Sequence, residues 1–476
     1  MLALAFSYEA VLESIVRVNT SSLPSAWASV LLGINLVLLT AGLLLLRRYG
    51  QGLAWLSRGL TLVAMILLIF ALGELVWFAW RSEAQPNHDV ATIHGGQAAR
   101  SVGLRKPQAP LRDIYLIVLD AYAREDVLRQ VYGYDNAGFL NSLRAEGFQV
   151  ADGAFSNYLS TKLTLPSLLN MRYLDYLTKQ YGPNYPNVMP LMRDIQHNIV
   201  VSSLRDLGYR IVNITSDVSY ASLADPDEVI AWSGDSGTLN ALETVLVDMT
   251  PMRLWRANRS TSNASEPEER RRRHLHFNLQ QLAHQGKAEG PKFVYVHIMA
   301  PHNPFVFDRQ GEPTASDFRM FHEYEAPQAA AIGKAYTDQV HYLNGQVLSS
   351  IKKILADSKV EPIIAVMGDH GLRLHLRERA GDSCLQESFA ILYALHLPGQ
   401  NAPVLAPVAS PVNTFRMIFD TYFATRLGRL SDRAFFAHRK ISYYAYPDVT
   451  ENVESCDAKG VPTVGIRHPN HLNTSR

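Results

Sequence analysis

The segment AVMGDHGLRL, residues 365–374, places a carboxylate beside an imidazole at the point where an apolar run ends. Residues 363–367 are continuously apolar and Gly368 follows them, a pattern typical of a buried parallel strand. Ligands of open α/β sheets bind just beyond the carboxyl ends of such strands. Asp369 and His370 offer one hard oxygen and one borderline nitrogen, which suits Zn or Mn better than Ca or Mg. Taken alone, the dipeptide is also compatible with an ordinary turn.

A group of hydroxyl side chains, in SNYLSTKLTLPSLLN, precedes a predicted helix. Because proline is tolerated in the first helical turn, Pro166 predicts a helix that begins near Thr164 or Leu165, with Thr161 just ahead of it. A hydroxyl at that place would face unpaired backbone N–H groups and the positive end of the helix dipole, which favour a phosphoryl or sulfuryl anion. Each of these hydroxyls, taken singly, is also a plausible helix cap.

Two further segments bring polar side chains to predicted strand ends. Asp120 follows the apolar run IYLIVL, where a lone aspartate would often cap a helix instead. His297 and His302 belong to KFVYVHIMAPHNPFVF, in which two prolines indicate a rigid loop after a strand. Either histidine is also compatible with a buried core position. With the hydroxyl group and the Asp-His pair, these residues describe a nucleophile lying on a metal that lowers its pKa and screens an incoming anion.

The combined motifs resemble those of the alkaline phosphatase and sulfatase superfamily, and within it the membrane-anchored phosphoethanolamine and phosphoglycerol transferases. In those transferases an acidic metal ligand ends the first strand and Ala-Arg soon follows. Here Asp120 is followed by Ala123 and Arg124, with Asp in place of Glu and one extra residue before Ala-Arg. Their nucleophilic Thr lies five residues before a Pro, as Thr161 lies before Pro166. The resemblance covers roughly residues 111–399, and its remaining matches are the loop of His297 and His302 and the Asp-His-Gly at 369–371.

The resemblance implies a reaction and a set of site residues. A zinc ion, with manganese possible, would be held by Asp120, Thr161, Asp369 and His370. Thr161 would attack the phosphodiester of a phospholipid headgroup, diacylglycerol would leave, and an acceptor hydroxyl would then take the phosphoryl group. A catalytic His302 would steady the phosphoryl oxygens or protonate a leaving group. The residues predicted to contact substrate are Arg124, Lys162, His297, His302 and His375.

Departures from the family patterns narrow this prediction. Formylglycine sulfatases place Cys or Ser two residues before the Pro, in Cys-x-Pro-Ser-Arg, whereas Thr164 stands there in this chain and Leu168 replaces the Arg. A sulfatase of that type is therefore disfavoured. Lipid A transferases carry a further His about a dozen residues after Asp-His-Gly and several disulfides, whereas this chain has Asp382 there and two cysteines. The donor headgroup and the pairing of Cys384 with Cys456 stay open.

The first 80 residues are predicted to form a membrane anchor. Residues 27–46 and 60–80 are each about 20 residues long, almost uncharged and long enough to cross a bilayer. The loop between them contains Arg47, Arg48 and Arg58 and no acid, so the positive-inside rule makes it cytoplasmic. The catalytic region then lies in the periplasm or outside the cell, on a multi-pass protein of the inner (plasma) membrane. Residues 1–17 are compatible with an interfacial helix or a further membrane helix.

A polar linker at 81–110 leads to a catalytic domain at 111–455, and a flexible tail at 456–476 follows. In the catalytic domain apolar strands alternate with helical stretches. This pattern predicts an α/β fold of the alkaline phosphatase type, with a mostly parallel central sheet flanked by helices. Strands are predicted at 113–119, 148–150, 210–214, 292–298, 362–367 and 389–397, and helices at 136–146, 199–207 and 336–355. The charged segment 259–276 is interpreted as a solvated loop or helix start whose charges pair with each other or contact lipid headgroups.

The net charge of +1 and the lack of a basic stripe with interleaved aromatic residues give no reason to expect a nucleic-acid partner. We predict a metal-dependent enzyme that transfers phosphoethanolamine or phosphoglycerol from a phospholipid donor to an envelope glycan or lipid-linked acceptor. Two alternatives stay open: a membrane-anchored phosphodiesterase or sulfatase-like hydrolase that uses water, and a non-catalytic envelope binding protein.

Overall fold

The structure, a computed structural model, describes residues 101–107, 110–232, 266–314, 326–399, 402–437 and 442–453, together with Met65. The chain divides into two compact units, and apart from Met65 these residues belong to the unit formed by Ala98–Asp235 and Ala264–Arg476. Within these ranges no helix combines the length and hydropathy needed to cross a membrane. The predicted spans at 27–46 and 60–80, Met65 excepted, and the tail at 456–476 lie outside the described residues.

A seven-stranded sheet forms the centre of this unit. Its strands are β1 (Ile114–Leu119), β2 (Gln149–Val150), β3 (Arg210–Ile214), β4 (Glu228–Ile230), β5 (Lys292–Ile298), β6 (Ile363–Gly368) and β7 (Tyr393–His396). They lie in the order β2-β7-β6-β1-β5-β3-β4. The pairs from β6 to β4 are parallel, whereas β7 runs antiparallel to β6 and β2 antiparallel to β7. The predicted α/β class with a mostly parallel sheet is therefore confirmed.

The central strands are buried on both faces, which explains their continuous apolar sequences. Every residue of β1, β5 and β6 is buried. Odd-numbered residues of β1 pack into the core on one face of the sheet, and even-numbered residues pack into the core on the other. Since successive side chains of a strand point to opposite faces, helices must cover both sides of this sheet.

The helices are α1 (Glu125–Gln130), α2 (Ala137–Ala145), α3 (Thr161–Asn170), α4 (Asp175–Tyr181), α5 (Met189–Gln196), α6 (Ile199–Asp206), α7 (Glu266–His284), α8 (Ala326–Asp357), α9 (Leu385–Phe389) and α10 (Thr414–Tyr422). Helices α2 and α6 agree with the prediction. Helix α8 begins ten residues before the predicted stretch at 336–355.

Two predicted elements differ in their bounds. The strand predicted at 389–397 begins only at Tyr393, because the chain just before it forms α9, whose first turn is capped by the Cys384 sulfur accepting from the amide of Glu387. Cys384 is disulfide-bonded, and Cys456, the other cysteine of the chain, lies outside the described residues. The short strand β4 was missed, since Glu228 and Ile230 are only partly buried, Val229 is exposed, and the three residues include an acid.

The charged segment is helical from Glu266 onward and is only partly solvated. Arg272 and Arg273 pair with Glu269, each at 2.8 Å, as expected for charges that neutralise each other along a helix. Arg272 and His274, however, are buried, and His274 bonds Asp217 on the loop after β3. The interpretation of this segment as solvated is therefore wrong for the face of α7 that packs on the domain.

Candidate active site

The predicted site residues meet because β5, β1 and β6 are neighbours in the sheet. Leu119 lies opposite Ile298 on one side and Gly368 on the other, so the three strands end at the same level. The Asp120 amide donates to the Ile298 carbonyl at 2.9 Å, and the His302 amide donates to the Asp120 carbonyl at 2.9 Å. This backbone pairing fixes the ends of β1 and β5 against each other.

Three buried side chains at these strand ends could hold a metal ion. One ligand atom from each of Asp120, Asp369 and His370 lies within 4.8 Å of the others. His370 Nε2 is 3.4 Å from Asp120 Oδ1 and 3.6 Å from Asp369 Oδ2. Both of those oxygens are buried without a hydrogen-bond partner. Buried polar atoms normally have partners, so two such oxygens facing one imidazole nitrogen fit a bound cation.

The remaining atoms of the same groups are held in place by the backbone. Asp369 Oδ1 accepts from the amides of Ala121 at 3.1 Å and His370 at 3.0 Å, which turns Oδ2 toward the cluster. His370 Nδ1 is 2.8 Å from the Gly371 carbonyl, and because a carbonyl only accepts, Nδ1 carries the proton. Nε2 is thereby left as the nitrogen that could ligate a metal, the arrangement typical of metal-binding histidines.

The electrostatics of the cluster point the same way. Burial and the neighbouring Asp120 carboxylate raise the pKa of Asp369 to about 6, against opposing effects of His297 and a hydrogen bond from Thr161. Burial opposes ionisation of Asp120 too, but the surrounding histidines hold its pKa below the usual value. Burial, with the charge of Arg373, lowers the pKa of His370 to about 3. A neutral imidazole between two buried carboxylates is a donor set that suits zinc.

His297 lies beneath the cluster and does not line the cavity. Its Nδ1 is 2.9 Å from the Ser216 hydroxyl, and its Nε2 is 3.4 Å from Asp120 Oδ2 and 4.0 Å from Asp369 Oδ2. Burial alone would lower the pKa of His297, but the contact with Asp120 raises it. The His297 side chain therefore faces the two carboxylates. In this position it does not reach the cavity, where the predicted contact with substrate would occur.

Thr161 is the first residue of α3, so the prediction that the helix begins near Thr164 or Leu165 was wrong. Ser160, in extended conformation, precedes it, and the Ser160 carbonyl accepts from the amide of Thr164 at 2.8 Å. The hydroxyls of Thr164 and Ser156 lie 2.9 and 2.5 Å from the Asp369 carbonyl oxygen. These tertiary hydrogen bonds hold the first turn, and Pro166 is accommodated in the second.

The Thr161 hydroxyl is directed at the metal-ligand cluster. It lies close enough to the Asp369 carboxylate and to the Tyr220 phenol to lower the pKa of both groups. As the first residue of a ten-residue helix, it also lies where free backbone N–H groups and the helix dipole favour an anion.

A cavity of about 190 Å³ opens over these groups. Its lining comprises Asp120, Leu159, Ser160, Thr161, Lys162, Tyr220, Met299, His302, His370, Arg373, Leu376, Ala437 and Tyr443. Two residues predicted to contact substrate are elsewhere. Arg124 bonds Asp126 at 2.7 Å and the Ala154 carbonyl at 2.9 Å, and His375 lies 3.4 Å from Glu387.

His302 carries a neutral imidazole whose Nε2 is available as an acceptor. Its Nδ1 lies 2.7 Å from the Asn303 carbonyl and must be the donor, so Nε2 is the acceptor nitrogen of the neutral ring. Burial lowers the pKa of His302 to about 4, although Asp120 acts in the opposite direction. At neutral pH the ring is therefore uncharged, with Nε2 available to accept a hydrogen bond or a proton.

Sequence reasoning missed two groups of residues that shape the cavity. The loop TSDVSY after β3 supplies Ser216 to His297 and Tyr220 to Thr161. The sequence did contain a signal for this loop, because it directly follows the predicted strand at 210–214, and functional residues often follow strand ends. Arg271, in the segment interpreted as solvated, reaches the carbonyls of Met299 and His302, the latter at 3.3 Å, and so supports the loop after β5.

Residues 112–422, more than half of the 476-residue chain, match the family model described as Sulfatase. The chain belongs to the sulfatase family. The resemblance to the sulfatases drawn from the motifs is thereby confirmed, and this sulfatase-family protein is an enzyme. No curated protein matches its sequence.

Solved structures are similar to this sulfatase-family enzyme at low sequence identity. The C-terminal periplasmic domain of EcEptC from Escherichia coli, in complex with Zn, is 12% identical with a TM-score of 0.50, covering 76% of this chain and 100% of that one. The integral membrane protein lipooligosaccharide phosphoethanolamine transferase A (EptA) from Neisseria meningitidis is 12% identical with a TM-score of 0.40, covering 70% and 60%. The phosphonate monoester hydrolase of Agrobacterium radiobacter is 13% identical with a TM-score of 0.43, covering 68% and 80%.

Proposed function

We propose that this enzyme transfers a phospholipid-derived phosphoryl headgroup, phosphoethanolamine or phosphoglycerol, to an envelope glycan or lipid-linked acceptor through a Thr161-linked intermediate. The observation that carries this proposal is the position of Thr161. Thr161 is the first residue of α3, its hydroxyl lies near enough to Asp369 to lower the pKa of that carboxyl, and it lines one cavity with Asp120, His302 and His370. A formylglycine nucleophile is not available from the sequence of this helix, whereas threonine is already a competent alcohol nucleophile when a base accepts its proton.

Asp120, Thr161, Asp369 and His370 would hold a zinc ion, with manganese as the other candidate. When bound, such a cation supplies Lewis acidity, which lowers the pKa of a neighbouring hydroxyl and offsets negative charge on a phosphoryl group. The protein's part is to hold these ligands rigidly, which the backbone hydrogen bonds to Asp369 and His370 achieve.

In the first step the Thr161 oxygen forms a bond to phosphorus while the bond from phosphorus to the diacylglycerol oxygen breaks. His302 takes the hydroxyl proton on Nε2 and returns it to the leaving diacylglycerol oxygen. In the second step an acceptor hydroxyl forms a bond to the same phosphorus while the bond from phosphorus to the Thr161 oxygen breaks, and His302 carries the acceptor's proton to the Thr161 oxygen. The N-terminus of α3 stabilises the phosphoryl oxygens throughout.

A donor of this kind lives in the bilayer, and the proposed chain organisation places the enzyme beside it. The anchor covers residues 1–80, with spans at 27–46 and 60–80, the linker covers 81–110, and the catalytic domain covers 111–455. The domain would lie on the periplasmic or extracellular side of the inner membrane. Support comes from the cytoplasmic arginines between the spans and from EcEptC, whose C-terminal domain is periplasmic.

The test uses the full-length protein in detergent with labelled phosphatidylethanolamine or phosphatidylglycerol, with and without a glycan acceptor. We expect label to reach the acceptor, and a phosphoryl-headgroup adduct to appear on the intact protein when acceptor is withheld. Thr161→Ala should lack both, whereas Ser142→Ala, which removes an exposed hydroxyl of α2, should keep both. Equal release of labelled headgroup with and without acceptor would show a hydrolase instead. Full function of Thr161→Ala would show that Thr161 is not the nucleophile.

A further inference from the structure

Arg373 lies on the loop after β6, three residues beyond His370, and lines the cavity with Thr161 and Tyr220. Its φ is +66°, in the left-handed region that residues with a side chain rarely adopt. A conformation of this kind persists only where surrounding contacts over-determine it, and such positions cluster at functional sites.

The contacts that hold Arg373 in place come from both sides of the loop. The next two amides, those of Leu374 and His375, donate to the buried Glu387 carboxylate at 2.7 and 2.8 Å. The guanidinium itself donates from Nη1 to the Leu159 carbonyl at 2.6 Å, two residues before Thr161. The cation is thus fixed beside the N-terminus of α3.

A second cationic side chain, that of Lys162, lies in the first turn of α3. Lys162 also lines the cavity, and its Nζ lies 4.8 Å above the ring of Tyr220. Among the described residues that line the cavity, Asp120 is the one carboxylate, and it belongs to the metal-ligand cluster. The lining beyond the metal ligands is therefore positive, with the hydroxyls of Tyr220 and Tyr443 as hydrogen-bonding groups.

We propose that Arg373, with Lys162, selects phosphodiesters whose headgroup carries no positive charge, so that a glycerol-type polyol headgroup is preferred to an ethanolamine-type one. This inference rests on the proposed function, whose donor headgroup it specifies. A phosphodiester anion is attracted by both cations whichever headgroup it carries. An ammonium group is repelled by them and finds no free carboxylate in the lining, whereas glycerol hydroxyls can bond the two tyrosines.

The test compares the two headgroups in direct competition. Full-length enzyme is given mixed vesicles with equal phosphatidylglycerol and phosphatidylethanolamine, each with its own label, and the ratio of the two released or transferred headgroups is measured. We expect the glycerol headgroup to be used at least about 10-fold faster, as expected for one partly screened like-charge contact. Arg373→Gln should bring the ratio toward one, Arg373→Lys should restore it, and Arg379→Gln, an exposed arginine of the same loop, should leave it unchanged.

A binding measurement keeps this inference separate from the proposed function. Calorimetry with sn-glycerol 1-phosphate and with phosphoethanolamine compares two headgroups that carry the same phosphate. The inference is supported if wild type binds the glycerol compound more tightly and Arg373→Gln reduces that preference. This holds even if neither phospholipid is turned over, because absence of turnover would contradict the proposed function alone. Equal binding, preference for phosphoethanolamine, or an Arg373→Gln variant with unchanged ratio and unchanged binding would overturn the inference.

Discussion

Asp369→Asn is expected to make the metal-free enzyme more stable at neutral pH while abolishing metal binding. The side-chain oxygen of Asn can still accept from the amides of Ala121 and His370, so the loop keeps its shape. The other carboxylate oxygen, which faces His370 Nε2 at 3.6 Å, becomes an NH₂ group that cannot ligate a cation. The substitution therefore separates the two roles of this side chain.

The magnitude follows from the pKa of Asp369, which burial and Asp120 raise from 3.8 to about 6. The unfolded chain therefore ionises this group at lower pH than the folded chain does. Stability is intact below about pH 4, falls as the pH rises from about 4 to 6, and stays reduced above that range. A pKa difference of about 2 corresponds to about 3 kcal/mol. The buried amide of Asn costs about 1 kcal/mol in return, so a net gain of about 2 kcal/mol is expected at pH 7.5.

The assay is urea unfolding of the full-length protein with a chelator, at pH 5 and pH 7.5, alongside metal content after zinc loading. Wild type should hold about one zinc per chain and gain stability from it, whereas Asp369→Asn should hold none and show no zinc effect. Asp382→Asn, at an exposed position on the following loop, should behave as wild type in every measurement. A variant that is less stable than metal-free wild type at pH 7.5, or that retains the zinc, would refute the reasoning.

Three further substitutions test the frame around the site. Glu387→Gln replaces one carboxylate oxygen by a donor facing the amides of the Arg373 loop and should cost about 2–4 kcal/mol of unfolding free energy in urea titrations; an unchanged midpoint would contradict this. Gly371→Ala places a Cβ 1.8 Å from the Glu387 carbonyl oxygen and should sharply reduce the yield of soluble protein. Gly138→Ala, whose Cβ would enter open space on α2, should raise thermal stability slightly. Equal behaviour of the two variants would argue against the close packing at Gly371. Asp113→Ala leaves the buried Lys292 ammonium without its carboxylate partner and should lower the free energy of unfolding by about 3–5 kcal/mol, with zinc content unchanged. A variant that loses zinc but keeps full stability would contradict this prediction.

The sequence was sufficient to predict the centre of the sheet and the residues at its carboxyl edge. Strands β1, β5 and β6 are continuous apolar runs, and parallel strands end at one edge, so Asp120, His302, Asp369 and His370 had to be close. The sequence does not show which strands are neighbours in the sheet. The loop after β3 reaches the site because β3 pairs with β5, and that pairing could not be predicted. Tyr220 was missed for that reason.

Two other features depend on tertiary contacts that no local pattern reports. The start of α3 at Thr161 is fixed by the hydroxyls of Ser156 and Thr164 at the Asp369 carbonyl, whereas proline statistics favour a later start. The left-handed conformation of Arg373 is fixed by Glu387, fourteen positions further along the chain. Arginine has no intrinsic preference for that conformation, so its role at the cavity could not be read from its type.

The central position of β1 has a consequence for how this enzyme is made. The contact of the Ala121 amide with Asp369 joins residues 248 positions apart. During synthesis, β1 therefore cannot make this contact until β6 has also left the ribosome. Non-local pairings of this kind form slowly, because a long loop must close before any contact rewards it. Metal uptake at this site can begin only after β6 has been synthesised and has paired with β1. A chain released before that point would contain Thr161 and Asp120 but could not assemble the proposed metal site, so the proposed activity would begin only when the domain is complete.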